Sequence, residues 1–252
     1  MKHKIYKFRS AIYLAVALLV AVPGFAQEGG GLDDVGVFRF GGKIGLGSAD
    51  LSLAKFSKLG ESRTTFSFGG FAEYRLFTWL SVNGGLEYTQ NGGSNLPSRM
   101  FYINGSYMLY TPLAGGGSAT TVRTNLRTHN LEIPITGRVS LPEMSGFKPF
   151  FLAGPSIGFR LGSKVTNYRV WDYGVPAANN ILTATSEKVK EKTRAANFSL
   201  LFGLGSEFAA YGHIFEMGVT YRLGLVNQNN FFESLYQQYT SNSLMVFMAI
   251  KF

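Results

Sequence analysis

Twelve charged side chains recur opposite apolar positions along the chain: Arg39, Lys43, Glu73, Arg75, Glu87, Glu132, Arg138, Arg160, Glu207, Glu216, Arg222 and Lys251. Carboxylates set among cations can act as general acid and base, hold a metal, or neutralise one another as ion pairs. Acyl transfer would need a nucleophile, a histidine base and an orienting acid within hydrogen-bond reach. The sequence has no cysteine and three histidines. His3 lies in a basic head. His213 falls in a short turn, where a solvated side chain is expected. His129 stands beside Thr128, and no spacing gathers a serine and an acid about it. No His/Asp cluster has metal-ligand spacing. The glycine-rich "GLGSAD" and "GGGSAT" precede no helix, so neither reads as a phosphate loop. No cofactor and no metal is expected. The leading reading of the twelve charges is mutual pairing. A narrow gated pore or small-ligand transport, and an acid/base pair acting on lipid, stay open beside it.

The elements that carry these charges are strands, because the alternation has period two. In "IFEMGVTYRLG" Phe215, Met217, Val219, Tyr221 and Leu223 oppose Glu216, Thr220 and Arg222. In "FSFGGFAEYRL" Phe66, Phe68, Ala72, Tyr74 and Leu76 oppose Ser67, Glu73 and Arg75, with Phe71 out of step. "LSVNGGLEYT", "LEIPITGRV", "FRFGGKIGL", "FFLAGPSIGFRLG" and "NFSLLFGLGSEF" read the same way. The closing "SLMVFMAIKF" sets Leu244, Val246, Met248, Ile250 and Phe252 against Met245, Phe247, Ala249 and Lys251. That makes eight strands of about ten residues, the length a tilted strand needs to cross a bilayer.

The connections sort by parity. The first (Ser48 to Arg63), third (Asn91 to Asn125), fifth (Lys164 to Thr193) and seventh (Asn227 to Ser241) are long. The second ("FT"), fourth ("PEMSG") and sixth ("AYG") are short. Long connections at one end and tight turns at the other are the asymmetry of an outer-membrane barrel. Aromatic residues cluster at both ends: Tyr74, Phe77 and Trp79 at one short turn, Phe147, Phe150 and Phe151 at another, Tyr88 and Tyr221 at the far end. Such girdles mark the two membrane interfaces. The fold class is therefore all-β: an eight-stranded antiparallel up-and-down transmembrane barrel, with short periplasmic turns, long extracellular loops and both termini periplasmic.

Residues 1–26 read as a cleaved signal peptide, with a basic head, a twelve-residue apolar run and small residues before a polar stretch. Residues 27–252 form the barrel domain. Cleavage leaves 20 basic against 15 acidic side chains, a net +5. The positive residues are scattered, which argues against nucleic acid.

Several segments carry a family likeness: "GGKIGLGSADL", "GGLEYTQNGG", "HNLEIPITGRV" and "PFFLAGPSIGFRLG". Together with the aromatic C-terminus they resemble the PorT-type family of small outer-membrane β-barrels. "LEIPI" and "AGPSIGF" are the most specific pieces. The resemblance implies a place in the outer membrane of a Gram-negative bacterium and, by way of some relatives, a part in protein secretion.

Partners follow from these readings. Outer-membrane lipid meets the apolar face. The terminal Phe252 fits the aromatic signal read by the barrel-assembly machinery. In the third connection, Asn104–Gly105 sits between two apolar runs, a hairpin signal. Phe101, Tyr102, Ile103, Tyr107, Met108 and Tyr110 make this hairpin apolar enough either to contact a protein partner or to lie as a lid against Trp171 and Tyr173. Lys251 is expected inside the barrel, paired with Glu216.

Overall fold

The computed structural model describes residues 34–53, 57–96, 110–112, 118–172, 181–188, 194–228 and 239–252. The expected signal peptide lies outside the described residues. So do Phe101, Tyr102, Ile103, Tyr107 and Met108 of the candidate hairpin, while Tyr110 is described in its backbone alone.

The strands are β1 (Phe38–Leu53), β2 (Ser57–Phe77), β3 (Leu80–Leu96), β4 (Tyr110–Pro112), β5 (Ser118–Ser140), β6 (Lys148–Asp172), β7 (Ile181–Lys188), β8 (Ala196–Ala210), β9 (His213–Gly224) and β10 (Tyr239–Lys251). Eight of them close a ring in the order β1, β2, β3, β5, β6, β8, β9, β10, every neighbour antiparallel. The seam between β10 and β1 is continuous from Gly41/Lys251 to Leu53/Tyr239. Closure leaves the ring without a free edge, the condition for a sheet in lipid.

The period-two alternation fixes which face is which. Ile44, Leu46, Phe68, Leu86, Ile135, Phe151, Leu204 and Val246 point outward and are exposed, whereas Glu73, Arg75, Glu132, Arg138, Glu207, Arg222 and Lys251 are buried. The protein is apolar outside and charged inside, the reverse of a soluble barrel. Phe71, out of step in the sequence, points inward. Its register partners on either side are Gly41 and Gly85. A Cβ at Gly41 would stand 2.7 Å from the Phe71 ring, so the glycine makes the space that the ring fills.

Two of the three short turns have a backbone reason. Tyr211 and Gly212 both take positive φ (52° and 77°), as do Ser145 and Gly146 (53° and 84°). Two successive positive φ values define the type I′ turn, whose twist matches that of the flanking strands.

The long connections differ from expectation. The strands are not about ten residues long. β1 and β2 continue through most of the first connection, and β5 and β6 run to 23 and 25 residues. At about 3.3 Å per residue the latter reach roughly 75–85 Å. Their distal ends are widened by β4, paired to β5 at Ser118–Thr120, and by β7, paired to β6 at Lys164–Trp171. A four-stranded ribbon thus continues one side of the wall beyond the ring. Sequences such as "SATTVRTNLRTH" suit this: their Thr and Val favour strands, and each of the two long strands finds backbone partners on both sides. No helix long and apolar enough to cross a membrane occurs among the described residues.

Candidate functional site: the charged interior

The inward charges gather in two groups. The first lies toward the short-turn end and draws on five strands. Glu207 on β8 is fully buried and accepts from Arg75 at 3.1 Å, Arg138 at 2.5 Å and Lys251 at 3.1 Å. Glu73 on β2 accepts from Arg75 at 3.2 Å, Arg138 at 3.3 Å and Lys251. Glu216 on β9 accepts from Arg138 and from Lys251, the latter at 2.6 Å. Lys251 therefore meets the partner expected from the sequence and two more, because its long side chain reaches past β1. Arg39 is buried in the same region.

The three carboxylates bring oxygens within 4.8 Å of one another, as a metal clasp would. The Lys251 ammonium and the Arg138 guanidinium already contact all three. Burying like charges this closely is stable only with such counter-charges.

The second group sits farther along the axis. Lys43 pairs with Glu87, Arg222 with Glu87 at 3.2 Å and with Glu132 at 3.0 Å. Glu132 also accepts from Thr89 Oγ1 at 2.8 Å and Ser156 Oγ at 3.2 Å. Between the groups lies a cavity of about 40 Å³ lined by Phe71, Leu152, Leu201 and Phe247, with Glu216 from one group and Lys43 and Glu87 from the other. Space for about one water molecule is what a volume of this order provides, far short of an aqueous passage.

Toward the long-connection end the chemistry changes. Arg160 is 7% exposed and donates to Gln228 Oε1 rather than to a carboxylate. Among the described residues its Nε and Nη1 have no hydrogen-bond partner, nor do Tyr239 Oη, Asn130 Oδ1, Asn197 Oδ1 and Ser163 Oγ. Of the twelve charges picked out in the sequence, Arg160 is thus set apart from the paired groups.

Some placements correct the sequence reading. Phe150 is not a girdle residue. It is 1% exposed and stacks under the Arg138 guanidinium, 3.7 Å from its ring centroid. Its neighbour Phe151 takes the outward position, since successive strand residues face opposite ways. Lys148 is also buried and donates to Thr78 O at 2.9 Å. Extending the alternation back from Phe151 would have found both. His213 is not a solvated turn residue. It opens β9, half-buried, with its ring edge-on to Phe252 at 5.2 Å. His129 sits outside the lumen, its Nδ1 hydrogen-bonded to Tyr88 Oη, and that tyrosine packs against Phe66 and Phe68. The aromatic pairs Phe38–Tyr74, Phe77–Trp79 and Phe147–Phe208 mark the opposite end.

A closed antiparallel ring with an apolar exterior, aromatic clusters at two levels and a charge-filled interior defines a transmembrane β-barrel of the outer-membrane type. Residues 25–230 match the family model described as "Outer membrane protein beta-barrel domain", and the chain belongs to that family. Its place is accordingly the outer membrane. No curated protein matches it by sequence. Among solved structures it is similar to Ail, the attachment invasion locus protein of Yersinia pestis, at 12% identity over 90% of this chain and 100% of that one, TM-score 0.38. It is similar to Neisserial surface protein A at 13% identity over 85% and 97%, TM-score 0.40. It is similar also to OprG from Pseudomonas aeruginosa at 14% identity over 87% and 97%, TM-score 0.39.

Proposed function

We propose that the protein is a sealed outer-membrane barrel with a structural or interactive role. It anchors at the cell surface the platform built by its long connections, within a secretion or surface assembly. The observation that carries this reading is the interior. Two groups of ion pairs with an apolar layer between them fill the lumen, and an eight-stranded ring has room for side chains rather than for a channel. The tall β5–β6 wall, widened by β4 and β7, supports the idea of a platform. In this reading the type I′ turns and both termini face the periplasm and the ribbon stands outside. "LEIPI" in β5 and "AGPSIGF" in β6 support the PorT-type subgroup. Phe252, whose amide donates to Phe40 O at 2.8 Å at the end of the seam, suits recognition by the barrel-assembly machinery. The position of His129 outside the lumen, bonded to a tyrosine, favours this reading over catalysis.

Planar-bilayer recording tests the sealed lumen. The purified protein is expected to carry no current at any voltage, and a steady unitary conductance would overturn the reading. Crosslinking from the "FYINGSYMLY" segment in intact cells tests the platform, with a discrete protein adduct as the expected result.

A further inference from the structure

The barrel wall is interrupted between β2 and β3. Pairing runs from Phe77/Leu80 to Ser67/Thr89, then resumes only at Glu61/Ser94. Residues 62–66 and 90–93 are not paired with each other. Each side keeps its other neighbour: residues 63–65 pair with Gly47–Ala49 of β1, and Gln90 pairs with His129 of β5. Positive φ at Gly60 and Asn95 brackets the interruption and Gly92 lies within it, the mark of bulges that bend strands apart. A cleft of about 490 Å³ occupies the gap.

Its level is informative. Gln90 lies eleven positions beyond Trp79 in sequence. At about 3.3 Å each and a tilt of roughly 40°, they lift the gap about 28 Å above the short-turn end, against an apolar band of about 25 Å. Unpaired backbone does not survive in hydrocarbon, so the gap belongs at the headgroup boundary. Its lining fits that boundary. Leu46 and Phe66 lie on the lipid side, Arg63 and Arg127 flank the opening, and Gln90, Ser94 and Asn125 supply amides and a hydroxyl. Thr65, 1% exposed, lines the cleft, and among the described residues its Oγ1 has no partner; Arg63 Nε is likewise buried without one. Across the sheet Arg127 stands in register with Lys164, and Lys164 with Lys188. Like charges directly opposed are unfavourable on their own, and an anion between them removes the penalty.

We propose that this cleft binds one phosphorylated saccharolipid of the outer leaflet: phosphate on Arg63 and Arg127, sugar hydroxyls on the amide-lined rim, an acyl chain over Leu46 and Phe66. The proposal rests on the orientation given above, with the ribbon outside, but not on the sealed lumen, which bilayer recording tests separately.

The test is native mass spectrometry of the delipidated protein in detergent, titrated with bis-phosphorylated lipid A, the same lipid dephosphorylated, phosphatidylglycerol, and inorganic phosphate as competitor. One lipid A per protein is expected. Arg63→Gln with Arg127→Gln should weaken it by about tenfold per arginine, as lost charge-assisted contacts do, and Arg194→Gln should leave it unchanged. Heat-modifiable gel migration verifies that each variant is folded. Equal binding of dephosphorylated lipid, or equal binding by the folded double variant, overturns the proposal. Stronger binding of phosphatidylglycerol than lipid A overturns the outer-leaflet assignment and the orientation with it. Complete displacement by millimolar inorganic phosphate makes the site one for free phosphate and overturns the lipid.

Discussion

The two ends of the lumen are built on opposite principles. Toward the short turns, Glu73, Glu207 and Glu216 share Arg75, Arg138 and Lys251, and each carboxylate touches at least two cations. Toward the long connections, Arg160 has an amide for a partner, and the groups around it are hydroxyls and amides. A dense net of opposite charges is worth keeping only if it is complete, because each missing partner strands a buried charge. A neutral polar group that lacks a partner strands no charge, so its incompleteness costs less. The first region holds the ring shut. The second has no such net of charges.

That contrast can be broken by experiment. Glu207→Gln should cost the most, about 3–5 kcal/mol of unfolding free energy in urea, because three cations lose a shared anion. Lys251→Met should cost about 3 kcal/mol by the same reasoning, and adding Glu216→Gln should return part of it, since the two side chains are directly coupled. Arg160→Gln should cost no more than about 1 kcal/mol, the scale of a single hydrogen bond. An Arg160 variant as damaged as the Glu207 variant would erase the distinction between the two ends. Trp79→Ala, outside the lumen at the short-turn girdle, should have the smallest effect, about 0.5–1 kcal/mol from its stacking on Phe77.

The faces of the strands were legible because a residue's side follows from parity alone. Ile44, Phe68 and Leu204 could be placed outside, and Glu73, Arg138 and Lys251 inside, without any contact being known. What parity does not carry is register between strands and the reach of a side chain. Lys251 could be matched to Glu216 on the adjacent strand, but its contacts with Glu73 and Glu207 depend on a four-carbon stem crossing the lumen. Phe150 and Lys148 were lost because adjacent phenylalanines at 150 and 151 looked like one cluster, although they face opposite ways. The length of β5 and β6 was hidden because polar strand outside a bilayer has the composition of a loop. The gap between β2 and β3 was hidden for a related reason. It arises from bulges at Gly60, Gly92 and Asn95, and glycine and asparagine are equally at home in a turn.

The path of the Lys251 side chain has a consequence for how the ring is completed. The lysine belongs to β10, yet its ammonium reaches over β1 to Glu73 on β2 and back to Glu207 on β8, so it works as a bolt across the joint. Before β10 docks, three carboxylates face only the arginines. Docking by one residue out of place would turn the lysine into lipid, and by two would move the ammonium about 7 Å along the wall. The last strand therefore carries its own gauge: a single amine that reaches its three carboxylates only when the joint has been zipped at the correct tooth.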